Sequence, residues 1–261
     1  MKYSMMTYTL MRQQGYTPAD CVRIAKELSM EGIDWVSTYG EDPALLRKMS
    51  EDAGLAVAAH TFFIRMEDIP KVESAASRSL DDACTLGAPV VMVVPVPMGG
   101  ETAGQNRDVW RDLLKRIAPL AQERNLVLTV ENFPGIASPF VTADDFYDVK
   151  KDVPSLKLTF DNGNAFTGED PVESLKRCAK DIAHVHLKDW FRSEKAQEGY
   201  RQMKDGFYYK PALIGEGVVD SRATVRTLEE TGYKGFVNIE YEGNEYPAHE
   251  GVRKVLEYLR A

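Results

Sequence analysis

Eight times along this chain a short β-branched run is followed by a longer amphipathic stretch, and no Pro/Gly/Ser-rich linker separates any two repeats. Strands are predicted at residues 2–9, 32–37, 55–60, 89–94, 126–131, 156–161, 182–188 and 235–241. Helices are predicted between and after them at 17–30, 42–54, 70–86, 105–124, 142–151, 171–180, 220–231 and 250–259. Thr17-Pro18, Asp42-Pro43 and Thr142 mark helix starts, and Gly54 and Gly87 mark helix ends. The fourth run, PVVMVV from Pro89, is almost wholly apolar, as a parallel strand covered on both faces must be. The pattern predicts an α/β fold, a (β/α)8 TIM barrel, as one domain over residues 1–261, close to the usual size of about 250 residues. An open doubly wound sheet is the alternative, but no GxGxxG follows the first strand.

Active sites of such barrels lie at the C-terminal ends of the strands. The fifth predicted strand ends in Glu131, the sixth in Asp161, the seventh near His186 and the eighth in Glu240. Side chains two residues apart share a face. Thr129 therefore goes with Glu131, Thr159 with Asp161, His184 with His186 and Lys188, and Asn238 with Glu240 and Glu242. The intervening Val130, Phe160, Val185 and Ile239 suit a face packed on helices, so the polar face points inward. Taken singly, a strand-end carboxylate is ordinarily a salt-bridge or capping residue. Four in register on consecutive strands point to a divalent ion, because crowded carboxylates repel without a cation. Three carboxylates and one imidazole suit Mn²⁺, Mg²⁺ or Co²⁺, with Zn²⁺ less favoured.

The formal charge of −8 argues against a polyanion such as nucleic acid and for a small-molecule partner. Cys21, Cys84 and Cys178 form no CxxC or zinc-type spacing and read as reduced, structural thiols. The longest apolar run, 88–98, contains three prolines and falls short of the roughly 20 residues of a bilayer span. The N-terminus makes a poor signal peptide. The expectation is a cytoplasmic protein with no membrane contact; homo-oligomerisation stays open.

Five motifs carry a resemblance: VENFPG from Val130, FDNGNAFTGEDPVESL from Phe160, HVHLKD from His184, IGEGVVD from Ile214 and GFVNIEYEG from Gly235. In order and approximate spacing they resemble the xylose isomerase-like TIM-barrel superfamily of sugar and sugar-phosphate isomerases and epimerases. The N-terminal half is similar mainly in rhythm and in AAHTFF around His60. The resemblance implies that Glu131, Asp161, His186 and Glu240 are metal ligands and that the two glutamates are an acid/base pair. It further implies a small sugar or keto-sugar substrate and an enediolate, stabilised by the ion acting as a Lewis acid. Isomerisation or epimerisation is the leading expectation. A lyase or dehydratase acting on an inosose or 3-keto sugar is the alternative; a non-catalytic sugar-binding barrel and an abasic-site endonuclease come behind. Asn164 stands where many members carry a histidine, and the chain has only four histidines; both facts count against the endonuclease.

Around the quartet, His60, Lys188, Asn164, Glu216 and Trp190 are candidates for contacting substrate, and Trp35, Tyr39 and Phe133 for stacking on a sugar face. Each has a plainer reading. For His60 and the aromatics it is packing, for Lys188 a salt bridge and for Glu216 a structural loop role, while His184 reads best as a core hydrogen bond. Residues 189–217 are long for a loop of this kind and mix Arg192, Lys195, Arg201, Lys204 and Lys210 with Tyr200, Phe207, Tyr208 and Tyr209. They are expected to form a lid or subunit contact, with phosphate binding as a further option.

Overall fold

The structure, a computed structural model, describes residues 1–261. The strands in chain order are β1 (Lys2–Met6), β2 (Gly32–Val36), β3 (Ala56–Phe62), β4 (Val90–Val93), β5 (Val127–Glu131), β6 (Lys157–Asp161), β7 (Ile182–Leu187), β8 (Asp189–Ser193), β9 (Arg201–Gln202), β10 (Tyr208–Ala212) and β11 (Phe236–Ile239). β1 to β7 and β11 are parallel and close into a barrel in the order β1-β11-β7-β6-β5-β4-β3-β2. The helices are α1 (Thr7–Met11), α2 (Pro18–Glu27), α3 (Pro43–Ala53), α4 (Val72–Leu86), α5 (Ala103–Glu123), α6 (Ala143–Lys150), α7 (Asn162–Phe166), α8 (Pro171–Cys178), α9 (Ser221–Glu230) and α10 (Ala248–Arg260). They surround the barrel, and the fold is the expected TIM barrel.

Local chemistry sets the helix ends. Thr17, Thr102 and Thr142 each cap a helix through a reciprocal box with Asp20, Gln105 and Asp145, so two donors are satisfied at each start. Gly54 and Gly87 close α3 and α4 at φ of 77° and 75°, a left-handed conformation that costs glycine little. The main apolar cluster lies between strands and helices, with Trp35, Trp110, Phe146 and Phe160 fully buried.

Three expectations need correction. The first strand stops at Met6 rather than residue 9, because the Thr7 hydroxyl donates to the Asp34 carbonyl at 2.9 Å and accepts from the Val36 N–H at 2.9 Å. That pins the turn into α1 against β2. The helix predicted from residue 70 begins at Val72, after a 3₁₀ turn over Met66–Lys71 that holds Pro70. Cys84 is exposed, unlike Cys21 and Cys178, whose thiols burial pushes up to about 12.

The polar segment after β7 is not an irregular loop. β8, β10 and β9 form a small antiparallel sheet with its own core of Trp190, Met203, Tyr209 and Val219. Four of its basic residues are engaged with the sheet and the barrel, while Lys195 is exposed and pairs with no acidic side chain. Lys204 pairs with Asp145 on α6 at 2.7 Å and Lys210 with Glu245 at 2.8 Å. Arg192 lies 4.6 Å from the Phe207 ring centre, and Arg201 5.5 Å from that of Trp190. No helix is long and apolar enough to cross a membrane.

Candidate metal centre

β5, β6, β7 and β11 are neighbours, and their register opposes Asp161 to His186 and His186 to Asn238. The inward residues at their C-terminal ends therefore converge. Glu131, Asp161 and His186 end or nearly end their strands; Glu240 stands one residue past β11, its N–H held by the Leu187 carbonyl at 3.0 Å. All four are at most 4% exposed. One potential ligand atom from each lies within 4.8 Å of all the others. Donors on opposite sides of an ion with bonds of about 2.1 Å are about 4.2 Å apart, so the spacing suits one divalent cation. His186 Nδ1 faces the carboxylates, 2.6 Å from Glu131 Oε1 and 3.4 Å from Glu240 Oε2.

The electrostatics agree with a cation site. Burial pushes the Glu131 carboxyl up and the Asp161 carboxyl well above the ordinary range. Burial acts on Glu240 in the same sense, but the Lys188 ammonium and His186 outweigh it and bring the group down to about 2. Burial would lower His186, yet the Asp34 carboxylate 3.5 Å from its Nε2 and the Glu131 carboxylate against its Nδ1 raise it well above its usual value. The buried atoms Asp161 Oδ2 and Glu240 Oε2 have no hydrogen-bond partner, an expense for charged oxygens that a bound ion would remove. The four residues thus fit a divalent ion.

Lys188 belongs to this cluster. Its Nζ lies 2.7 Å from Glu240, 3.3 Å from Glu242 and 3.8 Å from Asp161. It also lies 5.6 Å from the centre of the buried Trp190 ring. Asn164 is buried behind Asp161, whose Oδ1 accepts the Asn164 backbone N–H at 2.7 Å. Neither polar atom of the Asn164 amide has a partner.

Other residues singled out in the sequence lie apart. His60 shares the helix-side face with Trp35, whose carbonyl its Nδ1 contacts at 2.9 Å, while Thr61 points into the barrel mouth. β3 runs two residues beyond its predicted end at His60, so the polar-to-interior parity belongs to its neighbour. The Trp35 indole donates to Ser50 of α3 at 3.2 Å, and the Tyr39 hydroxyl lies 3.0 Å from that of Thr7. Glu216 accepts a hydrogen bond from the exposed Tyr246 hydroxyl at 2.9 Å, outside the quartet. Phe133 does line the mouth.

Sequence reasoning missed Asp34. This fully buried carboxylate on β2 sits one layer below the quartet. Its Oδ2 is 2.9 Å from His184 Nε2, 3.0 Å from Asn238 Nδ2 and 3.5 Å from His186 Nε2. Ser4 in turn donates to Asn238 at 2.9 Å. A carboxylate behind one imidazole nitrogen favours the proton there and leaves the other nitrogen free as a ligand. The available signal was a charge inside the otherwise apolar run GIDWV. Asp189 is another buried acid with a defined structural role. It accepts the N–H groups of Trp190, Gly215, Gly217 and Val219 at 2.8–3.0 Å and folds the IGEG loop around itself.

A cavity of about 180 Å³ opens above the quartet, bounded by Glu131, Glu240 and Glu242 on one side and by apolar side chains of β1, β2 and β4 on the other. A wider cavity of about 580 Å³ lies at the opposite end of the barrel, against Met1, Glu31 and Arg260. That end carries no convergent ligand set, and catalysis in these barrels belongs to the other.

The family model described as "Xylose isomerase-like TIM barrel" matches residues 22–261. The chain belongs to that family. Its relatives within it are enzymes. An inosose dehydratase of Clostridium perfringens is 26% identical over 248 residues, covering 85% of this chain and 81% of the relative. Among solved structures, the probable 3-DHS dehydratase involved in petrobactin synthesis from Bacillus anthracis superposes with a TM-score of 0.81 at 19% identity, covering 100% of this chain and 99% of that one. The 3-keto-D-glucoside 4-epimerase of E. coli gives a TM-score of 0.74 at 17% identity, covering 100% of this chain and 99% of that one. At these identities the two structures show a shared fold. The named relatives favour the dehydratase alternative over the isomerase or epimerase expected first.

Proposed function

We propose that this chain is a divalent-metal-dependent lyase that removes water from a small keto-polyol of the inosose or 3-keto-sugar class. The observation that carries the reading is the contrast between Glu131 and Glu240. Both flank His186 Nδ1, yet burial raises the proton affinity of Glu131 while Lys188 keeps Glu240 ionised. Two carboxyl groups whose surroundings push them apart make an acid and a base. The inosose dehydratase relatives support elimination as the outcome.

In this reading Glu131, Asp161, His186 and Glu240 would hold the ion, which when bound supplies Lewis-acid stabilisation of negative charge on the substrate carbonyl oxygen. Glu240 takes the proton from the carbon beside the carbonyl, and the electrons of that C–H bond move toward the carbonyl. Glu131 delivers a proton to the hydroxyl on the next carbon. The C–O bond breaks, water leaves and a C=C bond remains. Lys188 keeps Glu240 ionised so that it can act as the base.

An epimerisation would share the first proton transfer and differ only in where the proton returns. Incubation of scyllo-inosose with the Mn²⁺-loaded protein, followed by mass spectrometry, separates the two. A lyase gives a product lighter by one water. A product of unchanged mass that has exchanged a carbon-bound hydrogen with D₂O makes the protein an epimerase or isomerase, and no change of any kind removes the lyase reading.

A further inference from the structure

β1 ends at Met6, and both of its neighbours in the barrel run on past it. Its register with β2 stops at Met6 opposite Asp34, and its register with β11 stops at Met5 opposite Ile239. In a parallel ladder the next N–H of each neighbour takes a carbonyl of the strand between them. Those N–H groups belong to Val36 of β2 and to Tyr241, just past β11. β1 has by then turned into α1 and offers neither a carbonyl.

Two threonine hydroxyls of α1 stand in for the missing strand. Thr7 Oγ1 accepts the Val36 N–H and donates to the Asp34 carbonyl, both at 2.9 Å. Thr9 Oγ1 repeats the arrangement on the other side, accepting the Tyr241 N–H at 3.0 Å and donating to the Ile239 carbonyl at 3.3 Å. Both threonines are fully buried. A hydroxyl is the side-chain group that gives and takes a hydrogen bond through one atom, so each does the work of a strand residue's N–H and C=O.

The residue between Ile239 and Tyr241 is Glu240. Glu131, Asp161 and His186 each stand within a strand and are paired in its ladder, whereas Glu240 lies beyond the last paired residue of β11. Its own N–H is held by the Leu187 carbonyl. Peptide units are planar, so the backbone at one residue turns only about φ and ψ. Leu187 and Thr9 hold the peptide before Glu240, and Thr9 holds the peptide after it. Together they fix both angles and hence the direction in which the Glu240 side chain leaves the backbone.

We propose that Thr9 is the positioning residue for Glu240, a hydroxyl clamp that keeps this carboxylate aimed into the quartet where no strand pairing does so; this rests on the metal-centre part of the proposed function. Thr9→Val keeps the shape and removes the hydroxyl, and Thr9→Ser keeps the hydroxyl. Ser50→Ala is the structural comparator, because the buried Ser50 hydroxyl also accepts an N–H, from Trp35 at 3.2 Å, and donates to a carbonyl, that of Leu46 at 2.9 Å, but on α3 away from the quartet.

Mn²⁺ binding to each metal-free protein is measured by calorimetry, beside its urea midpoint. Thr9→Val and Ser50→Ala are both expected to lower the midpoint. Thr9→Val is expected to weaken Mn²⁺ binding by about tenfold, the low end of the loss typical of an outer partner, while Thr9→Ser and Ser50→Ala stay within about twofold of wild type. Should Thr9→Val not fold, Thr9→Cys, whose thiol is a weak donor and acceptor, takes its place with a smaller loss in the same direction. A folded Thr9 variant without the hydroxyl that binds Mn²⁺ like the wild type overturns the proposal. So does Thr9→Ser as weak as Thr9→Val, or Ser50→Ala losing as much affinity as either. No substrate enters the measurement, so a failure of the lyase chemistry leaves this result standing. A wild type that takes up no Mn²⁺ removes the metal centre itself, and the proposal with it.

Discussion

Replacing Asp34 by asparagine removes one charge and hardly changes shape, yet it should weaken metal binding at a site that Asp34 does not touch. The Asp34 carboxylate faces three donors, His184 Nε2 at 2.9 Å, Asn238 Nδ2 at 3.0 Å and His186 Nε2 at 3.5 Å. All three face the same oxygen, Oδ2, and Oδ1 has no partner, so an asparagine can keep its carbonyl oxygen toward them and the substitution removes the charge alone. The His186 ring then loses the negative charge 3.5 Å from its Nε2, which favours the proton on that nitrogen and makes Nδ1 a better ligand. Loss of such an outer partner typically costs about 10- to 100-fold in metal affinity, equivalent to about 1.4–2.8 kcal/mol. Calorimetric titration of the metal-free protein with Mn²⁺ reads this directly, with exposed Glu27→Gln as a control. A folded Asp34→Asn protein that binds Mn²⁺ as tightly as the wild type would refute the reasoning, because a purely structural Asp34 would change melting temperature without changing affinity.

Other outcomes follow from the same geometry. Lys188→Met strips Glu240 and Glu242 of their buried counter-charge and should lower kcat/KM for scyllo-inosose by about 100-fold or more, the usual scale for loss of a group that sets up acid–base chemistry; a value within a few-fold of wild type removes Lys188 from the mechanism. Asp189→Ala deprives four N–H groups of their acceptor and should destabilise the protein by about 3 kcal/mol or more in urea titrations, since each bond to a charged group contributes about 1.5–3 kcal/mol. Asp145 gives a pH signature. Burial raises its carboxyl, but Lys204 and the Thr142 and Val141 N–H groups outweigh that and hold it below the ordinary value of 3.8. Its folded pKa is therefore depressed, and its stabilisation is complete above the unfolded value and lost as pH falls through the folded one. The urea midpoints of wild type and Asp145→Asn should converge as pH is lowered from 7 toward 3; a constant gap contradicts the assignment.

The barrel was legible because its rhythm repeats eight times and several helix starts and stops are written locally, as at Thr17-Pro18, Asp42-Pro43 and Gly54. The convergence of Glu131, Asp161, His186 and Glu240 was legible because strand parity is a two-residue rule that needs no tertiary information. What lay outside reach depended on partners distant in sequence. Asp34 gains its meaning from His184 and Asn238, 150 and 204 residues away. The early end of β1 depends on Thr7 bonding to β2, and the face of His60 depends on β3 continuing to Phe62. The small sheet was hidden because β9 is only two residues long and its core of Trp190, Met203, Tyr209 and Val219 is scattered through a basic, polar segment. The salt bridge read for Lys188 gains its partners, Glu240, Glu242 and Asp161, only in the structure, while the adjacent Asp189 turns to backbone N–H groups.

The most direct test of the account is the metal content of the purified protein after dialysis against Mn²⁺, measured by inductively coupled plasma mass spectrometry for the wild type, Glu240→Gln and His186→Ala. The account predicts one ion per chain in the wild type and its loss or marked weakening in both variants, with all three folded by circular dichroism. A wild type that retains no ion, or variants that retain it in full, would contradict the assignment of Glu131, Asp161, His186 and Glu240 as the metal centre.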